Sequence, residues 1–244
     1  MTTNNSLSDR QRALLKMVIE EYISSCELVS SGHLSKKYKL NISAATVRNE
    51  MAILIRRGFL EQPHVSAGRQ PTPMGYRLYI QELMDNEDLP VLKEVAMKQN
   101  VWNNRYEIDK FLRSAALALA DATGLLCIVS TTDGRVFSSG VVNILDHPEF
   151  FDIEVARSVL NMVDNFSLLQ DILSKRNTVN ICVIMGDEFE RESLYPVSMV
   201  TKSYSSGGRK GYVTVLGPCR MSYKEVIPAV NYMTRVLEEV GVEW

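Results

Sequence analysis

The sequence predicts an α+β protein in two parts. A small helical module closed by a β-hairpin comes first, and an α/β domain with a largely antiparallel sheet follows. Three observations predict this. Apolar residues recur at helical spacing through most of residues 8 to 58. Between Gly58 and Thr72 the pattern changes to short β-like runs around a polar, glycine-containing tip. Beyond Pro90, helical stretches alternate with short runs rich in Val, Ile and Leu that end at glycine turns. The 244-residue length allows one large or two smaller domains. A composition of 45% hydrophobic and 23% charged residues supplies a core.

The first helix is expected from about Ser8 to Ser24. Ser8 is a good N-cap and Gln11 stands three residues on, as in a capping box. Leu14, Leu15, Val18, Ile19, Tyr22 and Ile23 give it one buried face. A short second helix spans about Ser30 to Tyr38. A third has Ser43 as N-cap, ends near Gly58, and turns Val47, Met51, Leu54 and Ile55 to the core. Thr46, Arg48, Asn49 and Arg56 lie off that face. Phe59 to Glu61 reads as a strand and "HVSAGRQ" as a hairpin tip, with Gly68 supplying a permissive backbone. Thr72 to Tyr79 returns as a strand or leads into a helix ending near Met84. Three helices and a hairpin in this order make a winged helix-turn-helix over residues 1–84. Residues 85–107 read as an acidic linker and connecting helix.

In residues 108–244, "EIDKFLRSAALALADATG" is a helix stopped by Gly124. "LLCIVS" and "RVFSSGVVNI" are two strands joined at Asp133-Gly134, a strong hairpin turn. One or two helices cover residues 152 to 175. "VNICVIM", "PVSMVTKSYS" and "GYVTVLGP" complete a five-stranded sheet, and a helix from about Ser222 to Val240 closes the chain.

No run approaches the roughly 18 apolar residues a membrane helix needs. "MTTNNSLSDRQR" has no apolar signal core. Both point to the cytoplasm. Cys26, Cys127, Cys182 and Cys219 are far apart with no C-x-x-C pair, which suits small buried hydrophobes and no metal site. Residues 1–84 carry 11 Lys and Arg against 7 Asp and Glu, while the remainder is acidic. That asymmetry suggests a nucleic-acid module with a different kind of partner attached.

A helix can enter a major groove with its first turns against base edges. Ser43, Ala44, Ala45 and Thr46 are small enough for close approach, and Thr46 and the alanine methyls suit thymine methyls. Arg48 suits guanine O6 and N7 or a phosphate, and Asn49 an adenine edge or a phosphate. The hairpin's His64, Ser66, Gly68 and Arg69 suit a phosphate strand or the minor groove. Taken singly, each of these residues is also what a solvated surface presents. Their occurrence on a capped helix followed by a polar hairpin favours double-stranded DNA.

No catalytic set stands out, and no cofactor is called for. Asp187, Glu188, Glu190 and Glu192 read as a solvated loop, and "SGGRKG" lacks the strand-to-helix context of a phosphate loop. Arg220 beside Cys219 is an arrangement that can lower a thiol pKa, but no base or third partner accompanies it and no catalytic role is expected.

"LSDRQRALLKMVIEEYI", "SAATVRNEMAIL", "GFLEQPHVSAGRQPTPMGYRLYI", "GVVNILDHPEF", "IMGDEF" and "VLGPCRMSYKEVIP" resemble, in order, segments of the HrcA family of heat-inducible transcription repressors. The resemblance covers nearly the whole chain and is most specific in "SAATVRNEM" with "QPHVSAGRQPT". It implies a winged-helix DNA-binding domain and a GAF-like effector domain over 108–244. It also implies a homodimer on an inverted-repeat operator upstream of chaperone operons, with a GroEL-type chaperonin as a partner. Two departures stand out. The chain is short, with "TTDGR" joining strands between which the family carries an inserted dimerising domain. Gly32 stands where the family has a basic residue. The alternative is a winged-helix regulator whose GAF-like domain senses a small molecule or protein and controls genes unrelated to heat shock. A third reading makes the winged helix a protein-interaction scaffold.

Overall fold

The computed structural model describes residues 7–39, 42–85 and 87–240, in two compact units, Met1–Asn86 and Glu87–Trp244. Residues 1–6 of the start searched above for a signal core, and Leu40 and Asn41 ahead of the third helix, lie outside the described residues.

The first unit orders α1 (Asp9–Ser25), α2 (Ser31–Lys37), α3 (Ala44–Arg56), β1 (Leu60–Glu61), β2 (Gln70–Pro71) and α4 (Pro73–Leu78). At the start of α1 the capping box is complete. The Ser8 hydroxyl accepts from the Gln11 amide at 3.3 Å, and the Gln11 side chain accepts from the Ser8 amide at 3.1 Å. Leu14, Leu15, Val18 and Ile19 of α1 meet Leu34 of α2 and Val47, Met51 and Leu54 of α3 in the core, together with Tyr76 and Tyr79. β1 and β2 pair antiparallel, Leu60 opposite Pro71. The segment after Thr72 is helical. Thr72 caps it, accepting from the Gly75 amide at 3.1 Å, and Pro73 opens it where no amide donor is needed.

The second unit holds α5 (Val91–Trp102), α6 (Ile108–Thr123), β3 (Leu126–Thr131), β4 (Val136–Ser139), α7 (Ile153–Asp164), α8 (Phe166–Ser174), β5 (Cys182–Met185), β6 (Val197–Ser206), β7 (Arg209–Pro218) and α9 (Tyr223–Val240). Its sheet is antiparallel throughout, in the order β4-β3-β7-β6-β5. Leu126 and Ile128 of β3 join Val159, Met162, Leu169 and Leu173 of α7 and α8 in one core. Helices α6 and α9 also pack against the sheet, and α5 lies on both of them through the buried Met97 and Val101.

One expectation is corrected. The strand expected over "RVFSSGVVNI" stops at Ser139. Gly140 adopts φ 74, a left-handed conformation that breaks the extended run, and Val141–Asp146 continues as a 3-10 turn. Cys219, given no catalytic role from the sequence, has a thiol that Arg220 does not activate. Burial pushes it up to about 12, and it donates to the carbonyl of Val197 at 3.2 Å. The guanidinium of Arg220 is engaged elsewhere, in a two-pronged pair with Glu149 at 2.6 and 2.9 Å. Among the described residues no helix is long and apolar enough to cross a membrane, and no cluster of His, Cys, Asp and Glu could hold a metal ion.

Candidate nucleic-acid interface

The site grows from how α3 is held. Ser43 caps the helix, its hydroxyl accepting from the Thr46 amide at 3.1 Å and lying 3.0 Å from the Thr46 hydroxyl. The stripe Val47, Glu50, Met51 and Leu54 is buried at helical spacing. That leaves Ser43, Ala44, Ala45, Arg48, Asn49 and Arg56 exposed and Thr46 half-buried. A small-residue first turn followed by Arg and Asn on the open side is a surface that fits a groove.

Two buried carboxylates fix this arrangement. Glu50 of α3 takes the Gln11 amide nitrogen at 3.0 Å and an ion pair from Arg10, tying α3 to the first turn of α1. Glu21 of α1 takes Lys37 at 2.6 Å, His33 at 2.8 Å and Tyr38 at 3.1 Å, tying α2 to α1. Burial alone would raise the Glu21 pKa. The donors Lys37, His33 and Tyr38 outweigh it and hold the carboxyl below its ordinary value. Sequence reading missed both groups. The signal for Glu50 was a carboxylate inside the apolar stripe; that for Glu21 is absent, because its donors lie 12 to 17 residues on.

The hairpin is equally constrained. Gln62 donates to the carbonyls of Val65 and Ala67 at 2.8 and 2.9 Å, closing the tip. His64, Val65 and Ser66 are exposed there, Val65 completely. Val65 is a tip residue the sequence reading passed over. At the base, Arg69 and Val29 exchange two backbone hydrogen bonds of 2.9 Å each, so the segment between α1 and α2 adds a bridge to the hairpin. This changes the reason for Gly68. It is absent from the left-handed residues. Instead a Cβ there would stand 2.6 Å from the backbone of Leu28. The glycine serves close approach of two chains.

The charges are sorted. All three cations of α1 are paired: Arg10 with Glu50, Arg12 with Glu82, Lys16 with Asp85. Among the described residues no ion pair involves Arg48, Arg56 or Arg69. Burial first, and then repulsion from Arg48, lowers the Arg69 pKa from its ordinary value. The buried Nε of Arg69 has no acceptor.

Comparison with known proteins follows the same direction. The family described as the HrcA protein C terminal domain matches residues 76–227. The chain is similar to the heat-inducible transcription repressor HrcA of Desulforudis audaxviator, at 26% identity over 96% of this chain and 98% of that one. It is similar to the HrcA of Roseiflexus castenholzii at 24% identity over 100% and 96%. These alignments run over 336 and 347 positions against 244 residues here, so those relatives carry segments that this chain lacks. A crystal structure described only as a hypothetical protein shares the fold, with a TM-score of 0.77 at 20% identity over 98% of this chain and 99% of that one.

Proposed function

The chain belongs to the HrcA family, and from that premise we propose that it is a sequence-specific repressor of heat-shock genes. Residues 1–84 serve as a winged helix-turn-helix. In it α3 is the recognition helix and the β1–β2 hairpin the wing. The observation that carries the reading is the sorting of charge: α1 neutralises its cations internally, while α3 and the wing leave theirs for a partner. Ser43, Ala44, Ala45 and Thr46 allow close approach to the major groove. Arg48, Asn49 and Thr46 read or clamp the site, and the wing's His64, Ser66, Gly68 and Arg69 add phosphate or minor-groove contact.

One such module offers little contact area, so a homodimer on an inverted repeat is the working form, with recognition helices about 34 Å apart. Residues 108–244 are the GAF-like effector domain, and 85–107 lead into it, with α5 packed on α6 and α9 as part of the same unit. The segment missing relative to the longer relatives is assigned to the turn between β3 and β4. There Ser130 pairs with Val136 and the Thr131 amide donates to Arg135 O at 2.9 Å, so the strands meet with nothing between them. A GroEL-type chaperonin is the partner that modulates activity, and the cytoplasm is the setting.

The test is a fluorescence-anisotropy titration of the purified chain. The probes are the family's inverted-repeat operator, a half-site and a scrambled duplex, each at two salt concentrations. Tight binding to the intact repeat with a much weaker half-site is expected. Equal binding to all three, steeply salt-dependent, would overturn sequence-specific repression.

A further inference from the structure

We propose that Val65, at the apex of the wing, is a specificity-determining residue. It enters the minor groove beside the stretch that α3 occupies and selects an A·T pair there by excluding the amino group of guanine. This deepens the DNA-binding reading and rests on it.

The apex is fixed at both ends. The Ala67 amide donates to the His64 carbonyl at 2.9 Å, so Val65 and Ser66 are the two central residues of a turn. The Gln62 side chain donates to the carbonyls of Val65 and Ala67 at 2.8 and 2.9 Å, so one amide group ties up two acceptors. At the base, Arg69 exchanges both backbone bonds with Val29, and the missing Cβ of Gly68 permits that approach. Held in this way, Val65 is 100% exposed, while Leu92, the next most exposed large apolar residue described, is at 82%. A lone apolar residue on a loose surface loop needs no explanation. This one is locked at the tip of the hairpin that carries His64, Ser66 and Arg69.

The surroundings of Val65 narrow the partner. From Gln62 to Gln81 the chain has no Asp or Glu, and Glu61 just before accepts from Gln70 at 2.7 Å. With two carbonyls taken by Gln62, the apex keeps its donors. Among the described residues no hydrogen bond takes the amides of Val65 and Ser66 or the Ser66 hydroxyl. An apolar side chain flanked by free donors, with acceptors withdrawn, matches one surface of a duplex. The minor-groove floor at an A·T pair presents acceptors alone, and a G·C pair adds the guanine amino donor. Against A·T, the donors of the apex meet acceptors. Against G·C, the Val65 methyls would cover an amino group and leave it unpaired.

The test uses the full chain and the family's inverted-repeat operator, with each A·T pair replaced in turn by G·C or by inosine·cytosine. The inosine pair keeps the major-groove face of G·C and lacks the minor-groove amino group. In the wild type, one A·T pair in each half-site should lose about tenfold in affinity as G·C and recover it as inosine·cytosine. In Val65→Ser, whose hydroxyl can accept from the amino group, that penalty should largely vanish. The salt slope should stay the same, because no phosphate contact is lost. A thermal melt checks that the variant folds.

The absence of any pair at which G·C and inosine·cytosine differ would overturn the proposal. So would undiminished discrimination in Val65→Ser. A Val65→Ser loss that is equal on every duplex and shifts the salt slope would mark a backbone contact and overturn it as well. Wild-type protein that binds none of the duplexes, the unaltered operator included, would overturn the DNA reading itself, a result distinct from these.

Discussion

Helix α1 and the pair formed by α3 and the wing carry similar numbers of cations and treat them in opposite ways. Arg10, Arg12 and Lys16 each meet a carboxylate from elsewhere in the unit. Arg48, Arg56 and Arg69 meet none among the described residues. The overall charge of the module hides this, since a count cannot separate neutralised charge from available charge. The difference teaches that α1 uses its charges to assemble the unit, and α3 with the wing holds its charges for something outside it.

Breaking the assembly side should show the largest effect. Glu21→Ala removes the acceptor for Lys37, His33 and Tyr38, and should cost about 3 kcal/mol in urea unfolding, the upper end for hydrogen bonds to a charged group. The same carboxyl sets a pH dependence. Its pKa is lowered on folding from 4.5, so its contribution is complete above that value and is lost as pH falls through the lower folded value. Unfolding at pH ~6 and pH ~3 should show this loss in the wild type, and a flatter profile in Glu21→Gln. An identical profile in the variant would show that Glu21 is not the titrating group.

Gly68→Val tests the join between the two sides. A side chain there meets the Leu28 backbone, and overpacking of this kind costs about 2 kcal/mol. The wing should shift with it, so operator affinity should fall although no charge has changed. Retained affinity would mean that the Val29 bridge does not position the wing.

The smallest effect sharpens the contrast. Arg12 and Glu82 are both partly exposed, and such pairs contribute about 0 to 1 kcal/mol. Arg12→Ala should therefore leave the melting curve nearly unchanged, and operator affinity too. A drop in affinity would show that α1 also faces DNA and would erase the distinction.

Much of the frame was legible because it is written in local signals. Ser8 with Gln11, Ser43 before the small residues, and Asp133-Gly134 between two apolar runs each act within a few residues of chain. The strand that ended early shows the limit of such signals. Val141 and Val142 favour a strand, yet Gly140 before them takes a left-handed turn, which composition alone does not announce. Within the candidate site, the exposed face of α3 followed from its periodicity. The bonds that fix it did not: Glu50 reaches back 39 residues to Gln11, and Arg69 pairs with Val29. Gly68 was recognised as special for the wrong reason, because a steric neighbour far away in sequence leaves no local mark. The partner of Arg220 was hidden in the same way, since its adjacency to Cys219 said nothing of Glu149.

The double hydrogen bond between Val29 and Arg69 has a kinetic side. Each residue gives its amide to the other's carbonyl, so neither proton reaches solvent until the two segments part. Their hydrogen-exchange rates should therefore move together under any perturbation. A single opening event would then free the base of the wing and the entry to α2 at once, making that contact a natural clock for how often the DNA-facing surface comes apart.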